Sequence, residues 1–324
     1  MYETVLVNSI YTCYNAKYQE RKNLSGGKFM YQEQLNHLES LRKKAKNGVL
    51  IIIAVIVGGI LIGLFSMHFL LIPVAIIAGI IVYFVAYKNA YKEYVRFFKN
   101  EFIAGLIRGL IPDAVYEPNS GFDRQMISGT GLMMMGNIYH SEDYIRGSYD
   151  GVPFERADVL IQDESTDSDG NTSTTTYFRG RWMVFESNKN TSADLQIIGK
   201  GFGYARRKKG IFTRKAERRH VLKTEDEAFN KKFDVLCQDD SEAFYLLTPG
   251  VMQSLMTLVQ RLDGKVMVGF VDNRVHVAVN SGKDSLEPAL FRAFSEKDLN
   301  EVQNEIQAIT TFVKGLKLDR KIYQ

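Results

Sequence analysis

The strongest pattern along the chain is the run from Val49 to Tyr87, which contains no Asp, Glu, Lys or Arg. A helix rises about 1.5 Å per residue, so about 30 Å of hydrocarbon takes roughly twenty apolar residues. The run holds about two such lengths and pauses only at Ser66-Met67-His68. It predicts a two-helix transmembrane hairpin, Val49–Met67 and Phe69–Tyr87. A helix pair inside a soluble domain ordinarily keeps a polar stripe, and neither half has one. Gly58, Gly59 and Gly63 on the first helix and Ala75, Ala78 and Gly79 on the second offer small surfaces through which two backbones approach in lipid.

Periodicity on either side extends the helical region. Val5, Ile10, Tyr11 and Tyr14 recur at roughly helical spacing in Met1–Glu20, and Asn23-Leu24-Ser25-Gly26-Gly27 predicts a break. A second amphipathic helix, Tyr31–Lys46, carries Leu35, Leu38 and Leu41 on one face and turns basic towards the apolar run. Beyond the hairpin, Tyr91, Tyr94, Val95, Phe98, Phe102 and Leu106 continue a helix over Lys88–Ile111, which Pro112 ends. The segment up to Gly136 is rich in Gly, Ser and Asn and holds Leu132-Met133-Met134-Met135, read as core.

From Tyr139 the period changes to two. Tyr144–Tyr149, Val152–Gln162, Thr174–Ser187 and Leu195–Ile198 read as strands, with Asp150-Gly151 as a tight turn. Asp163–Ser173 reads as a solvated hairpin tip; as a calcium loop it lacks the acidic twelfth ligand. Thr224 with Glu227 forms a capping box before a short helix, followed by a strand Phe233–Cys237. Asp239 with Glu242 caps a helix Ser241–Leu246, and Thr248-Pro249 opens another to Leu262. Val266–Val271 and Arg274–Val279 form a hairpin about Asp272-Asn273, and Ser295 with Asp298 begins a last helix, Glu296–Leu316. The expected fold is α+β with mainly antiparallel pairing. It divides into residues 1–48 (cytosolic helical segment), 49–87 (transmembrane hairpin), 88–136 (membrane-proximal helix and linker) and 137–324 (cytosolic α+β domain).

Charge sets an orientation. Arg42, Lys43, Lys44 and Lys46 precede the hairpin, Lys88, Lys92, Arg96 and Lys99 follow it, and its turn carries only His68. Basic residues resist translocation, so both ends are expected on the cytoplasmic side. The formal net charge of +4 points to no particular partner. The local run Arg206–His220 does: Arg206, Arg207, Lys208, Lys209, Arg214, Lys215, Arg218 and Arg219 stand against Glu217 alone, with Ile211 and Phe212 between them. Such a run suits a solvated loop, anionic lipid headgroups, at about 1 kcal/mol per basic residue near the surface, or an acidic protein partner. Nucleic acid is the weaker alternative.

No assembled reaction centre is visible. The five histidines show no metal spacing, and the two cysteines, Cys13 and Cys237, make neither a disulfide framework nor a four-ligand zinc site. There is no Walker-type loop, nucleophile elbow, kinase set or His-Glu-x-x-His. The sequence therefore implies no cofactor, metal or catalytic residue. The one carboxylate grouping that could serve an enzyme is Asp239, Asp240 and Glu242, for which a helix cap is the plainer explanation.

The ordered set Tyr116-Glu117-Pro118, Gly121-Phe122, Glu142-Asp143-Tyr144-Ile145-Arg146-Gly147 and Phe178-Arg179-Gly180-Arg181-Trp182 resembles the bacterial membrane proteins grouped as domain of unknown function 3137. Phe229-Asn230-Lys231-Lys232-Phe233-Asp234-Val235, the Asp240–Leu246 stretch with Leu247-Thr248-Pro249, and Glu287-Pro288 extend the likeness. The resemblance implies a bacterial cytoplasmic-membrane protein and carries no catalytic residues with it. The expected function is a non-enzymatic, membrane-tethered interaction or scaffolding module. The alternative is a membrane-anchored enzyme with an unrecognised carboxylate site.

Overall fold

The structure is a computed structural model that describes residues 25–186, 194–202, 219–284 and 286–316. The expected first helix, Met1–Glu20, lies outside the described residues. Two compact units are present: residues 1–102 with 288–296, and residues 103–287 with 297–324.

The first unit is built on α1 (Ser25–Phe65) and on the helical run α2 (Leu71–Leu110) as far as Phe102. α1 begins at Ser25, inside the expected break Asn23–Gly27 and ahead of the expected start at Tyr31, while Asn23 and Leu24 lie outside the described residues. Once a helix is nucleated, each further residue adds a hydrogen bond, so glycines at its end follow the turns behind them. The hairpin turn falls where the polar pause predicted it, with Met67 at φ 60°. The small residues sit at the helix contact: a Cβ on Gly59 would lie 2.1 Å from Ala75 Cβ, and one on Gly79 would lie 2.7 Å from Ile56 Cγ1. Gly58, by contrast, faces open space. The outward side chains stay uncovered, with Leu70 83% and Val85 74% exposed. Two π-helical turns, Tyr83–Tyr87 and Phe98–Ile103, interrupt α2. Near the second, Phe98 and Phe102 pack on Phe294 at 5.8 and 5.0 Å between ring centroids. Arg42 Nη1 and Tyr94 Oη donate to the carbonyls of Leu290 and Ala289 at 2.8 and 3.0 Å. These bonds tie 288–296 to the helix pair.

The second unit is a nine-stranded antiparallel sheet among the described residues, in the order β1-β2-β3-β4-β9-β8-β5-β7-β6. The strands are β1 (Val115–Glu117), β2 (Ile138–Tyr149), β3 (Val152–Thr166), β4 (Thr172–Glu186), β5 (Leu195–Gly199), β6 (His220–Leu222), β7 (Phe233–Cys237), β8 (Lys265–Val271) and β9 (Arg274–Asn280). Its helices are α3 (Arg124–Gly129), α4 (Glu227–Lys232), α5 (Asp240–Leu246), α6 (Pro249–Arg261) and α7 (Glu296–Gly315). The predicted turns form as expected: Asp150-Gly151 and Asp272-Asn273 both hold positive φ at their two central positions, which matches strand twist across a two-residue hairpin. β3 and β4 run further than their apolar residues require, pairing through Thr166↔Thr172. Asp167 closes the tip by accepting from the amides of Asp169 and Asn171 at 3.0 and 2.8 Å.

Both sheet faces are covered. One carries Trp182, Phe178, Ile161 and Ala278 under the segment that includes Ile127 and Leu132. The predicted core role of Leu132 and Met133 holds, and a Cβ on Gly269 would meet Leu132 Cδ1 at 2.4 Å. The other face carries Phe185 against Phe312 of α7. At α4 the cap differs from expectation: Asp226, not Thr224, accepts from the Phe229 amide at 3.0 Å. Thr224 Oγ1 instead donates to the Asp226 carbonyl and lies 3.1 Å from Asn230 Oδ1. The helix therefore starts two residues later than the motif suggested.

Candidate functional site

Of the expected contact run, Arg206, Arg207, Lys208, Lys209, Ile211, Phe212, Arg214, Lys215 and Arg218 lie outside the described residues. Arg219 is described and corrects the expectation for itself. Its side chain is 1% exposed. Nε donates to Asp194 Oδ1 at 2.7 Å, Nη1 to the Gly131 carbonyl at 3.1 Å and Nη2 to the Thr130 carbonyl at 3.0 Å. A guanidinium offers five donors in a fixed fork, and here the fork is consumed by the protein interior. A buried paired cation cannot also reach headgroups.

The carboxylates Asp239, Asp240 and Glu242 divide their roles. Asp239 is the N-cap of α5 and accepts from the Glu242 amide at 2.9 Å, the structural use weighed in the sequence. Asp240 points elsewhere. Its Oδ1 lies 2.6 Å from His220 Nε2 and 3.4 Å from Cys237 Sγ, while Sγ lies 3.8 Å from the same ring nitrogen. His220 and Cys237 are cross-strand partners on β6 and β7, and Asp240 follows three residues later at the start of α5. Cys237 is buried, whereas the His220 and Asp240 side chains are 52% and 57% exposed. Burial and the neighbouring Asp240 push the Cys237 thiol up to about 12. The hydrogen bond from His220 holds Asp240 below the usual carboxylate range. Reading histidine spacing along the chain missed this trio, because β6 pairing alone brings residue 220 beside residue 237.

A second polar group lies under α7. At a bulge in β2, where the register shifts between Glu142 and Ile145, Asp143 adopts φ 57° and is fully buried. Its Oδ1 accepts from the Tyr116 hydroxyl. Arg156 Nη2 donates to Asp158 Oδ1 at 2.8 Å, and Arg181 pairs with Glu305 of α7. Burial, with Asp284 and Asp143 adding to it against Arg156, pushes Asp158 up to about 8. Asp143, Asp158 and Asp284 converge, and Asp158 Oδ2 and Asp284 Oδ1 find no hydrogen-bond partner among the described residues. Removing either member of the buried Arg181–Glu305 pair strands the other, so that pair fixes α7 on the sheet. A separate cleft of about 400 Å³ opens between Asp113, Arg146, Glu155, Glu186 and Arg274; none of the carboxylates at 239, 240 and 242 lines it.

No curated protein matches the chain. Among solved structures, the crystal structure of the mycobacterial trehalose monomycolate transport factor A, TtfA, is similar at 10% identity and a TM-score of 0.33, over 65% of this chain and 96% of that one. Residues 176–318, from β4 to beyond α7, match the model of the family described as protein of unknown function (DUF3137).

Proposed function

We propose that the protein is a non-enzymatic scaffold or interaction module held at a membrane by its helix pair, with the α+β unit as its partner-binding body. One observation carries this reading: α1 and α2 supply two segments long and apolar enough to cross a bilayer, Glu33–Phe65 and Leu71–Leu110. Their outward side chains remain uncovered while their small residues are used against each other. In water such a surface is costly at about 25 cal/mol per Å²; in lipid it is at rest. The basic flanks favour both termini on the cytoplasmic side of a bacterial inner membrane, a multi-pass arrangement with the turn at His68 outside. Under that orientation, the basic residues of the run Arg206–Arg218 would share a compartment with the anionic headgroups of that leaflet, which attract such charge.

Flotation of the purified chain with anionic and neutral vesicles, before and after neutralising the basic residues from Arg206 to Lys215, tests the lipid contact. Stronger recruitment of the unaltered chain to anionic vesicles supports it, and equal flotation of both forms overturns it. In-cell crosslinking from the α+β unit identifies the protein partner; capture of small-molecule turnover rather than a stable protein neighbour would favour an enzyme instead.

A further inference from the structure

We propose that His220 Nε2, Cys237 Sγ and Asp240 Oδ1 form a three-ligand Zn²⁺ site at the β6–β7 edge of the sheet. Zinc takes sulfur at about 2.3 Å, nitrogen at about 2.0–2.1 Å and carboxylate oxygen at about 2.0–2.2 Å. Tetrahedral angles then place pairs of donors roughly 3.3–3.7 Å apart. The two distances to sulfur, 3.4 and 3.8 Å, already stand close to these edges. The third, His220 to Asp240 at 2.6 Å, is the hydrogen bond that an ion would replace. Both of those side chains are half-exposed, so opening that edge by roughly 0.7 Å needs only side-chain rotation.

The arrangement differs from a nucleophilic triad. In such a triad the thiol and the carboxylate engage opposite ring nitrogens, so that the imidazole passes a proton to and from the nucleophile. Here the sulfur and the carboxylate oxygen approach the same nitrogen, leaving no relay. The adjacent carboxylate also opposes thiolate formation in the metal-free protein, so Cys237 is a poor nucleophile there. A divalent cation reverses that balance: a coordinating thiol gives up its proton and the carboxylate becomes a ligand.

The backbone supports the site from two directions. Arg219, immediately before His220, is fixed by Asp194, Thr130 and Gly131, which sets where β6 begins. Asp239, immediately before Asp240, is fixed as the α5 cap. The mixed sulfur, nitrogen and oxygen set suits zinc over magnesium or calcium, which prefer oxygen alone. With Cys237 inside and the other two ligands half-exposed, the fourth position faces solvent and takes a water or a donor from a partner.

Cobalt substitution tests the site in the full chain, purified in detergent without a polyhistidine tag. Co²⁺ is expected to produce a thiolate charge-transfer band and the visible bands of a tetrahedral ion, both lost on adding one equivalent of Zn²⁺. Cys237→Ser should abolish the charge-transfer band, His220→Ala should weaken Zn²⁺ binding at least about tenfold, and Cys13→Ser should change neither. Because the unaltered chain reports by itself, misfolding of a variant does not leave the question open. Absence of the charge-transfer band in the unaltered chain, or its persistence in folded Cys237→Ser, overturns the proposal.

Discussion

Lowering the pH should weaken the α+β unit through one buried imidazole. His276 is 3% exposed on β9, and Trp182 Nε1 donates to its Nδ1 at 3.2 Å. The acceptor nitrogen must carry no proton, so the bond holds only while the ring is neutral. Burial, with Arg274 nearby, lowers His276 to about 4 against a small opposing effect of Asp272, whereas an unfolded histidine titrates near 6.5. The unfolded chain therefore binds the extra proton first as pH falls. Stability is complete above about pH 6.5 and is lost progressively towards pH 4. That lowering of His276 corresponds to roughly 3 kcal/mol in full, of which about 2 kcal/mol is gone by about pH 5. Trp182 is the only tryptophan in the chain and touches the titrating ring, so its fluorescence reports the transition directly. Urea unfolding of the full chain in mild detergent, at about pH 7.5 and about pH 5, should show that loss. His276→Asn, whose side-chain oxygen accepts near the Nδ1 position without titrating, should lose about 2 kcal/mol less over the same interval. Equal pH dependence in the two proteins would refute the neutral buried imidazole.

Two further outcomes test other parts of the structure. Arg219→Ala should destabilise the α+β unit by about 3–5 kcal/mol, because it strands Asp194 and two interior carbonyls; a change within about 0.5 kcal/mol in the same urea assay would return Arg219 to the surface. Gly59→Leu should separate α1 from α2 at Ala75 and cost about 1–3 kcal/mol, read as a lower thermal midpoint of the helical signal in micelles, whereas Gly58→Leu, facing open space, should leave that midpoint unchanged.

What was legible in the sequence is what local chemistry decides. The apolar run and its pause at Ser66-Met67-His68, the positive-φ turns at Asp150-Gly151 and Asp272-Asn273, and the caps at Asp239 and Thr248 depend on residues a few positions apart. Strand ends were less legible. Threonine pairs well on a pleated surface without burial, so the β3–β4 hairpin continues through residues whose polarity resembled loop. The polar sites were hidden for a different reason. Arg181 meets Glu305 only because α7 returns across the sheet, and His220 meets Cys237 only because β7 lies between β5 and β6 in the sheet order. A search for histidines at metal spacing runs along the chain and passes over donors assembled across strands. The same limit applied to Arg219, which reads as one more charge in a basic run until its carbonyl partners near residue 130 are placed beside it.

Residence of the helix pair in a bilayer, tethering the α+β unit there, is the property proposed for this protein on which the rest depends. Alkaline carbonate extraction of membranes from cells expressing the full chain tests that property most directly, since it strips peripheral proteins and leaves spanning ones. The protein is expected to remain wholly in the membrane pellet and to dissolve only with detergent. Its recovery in the carbonate supernatant would contradict the account.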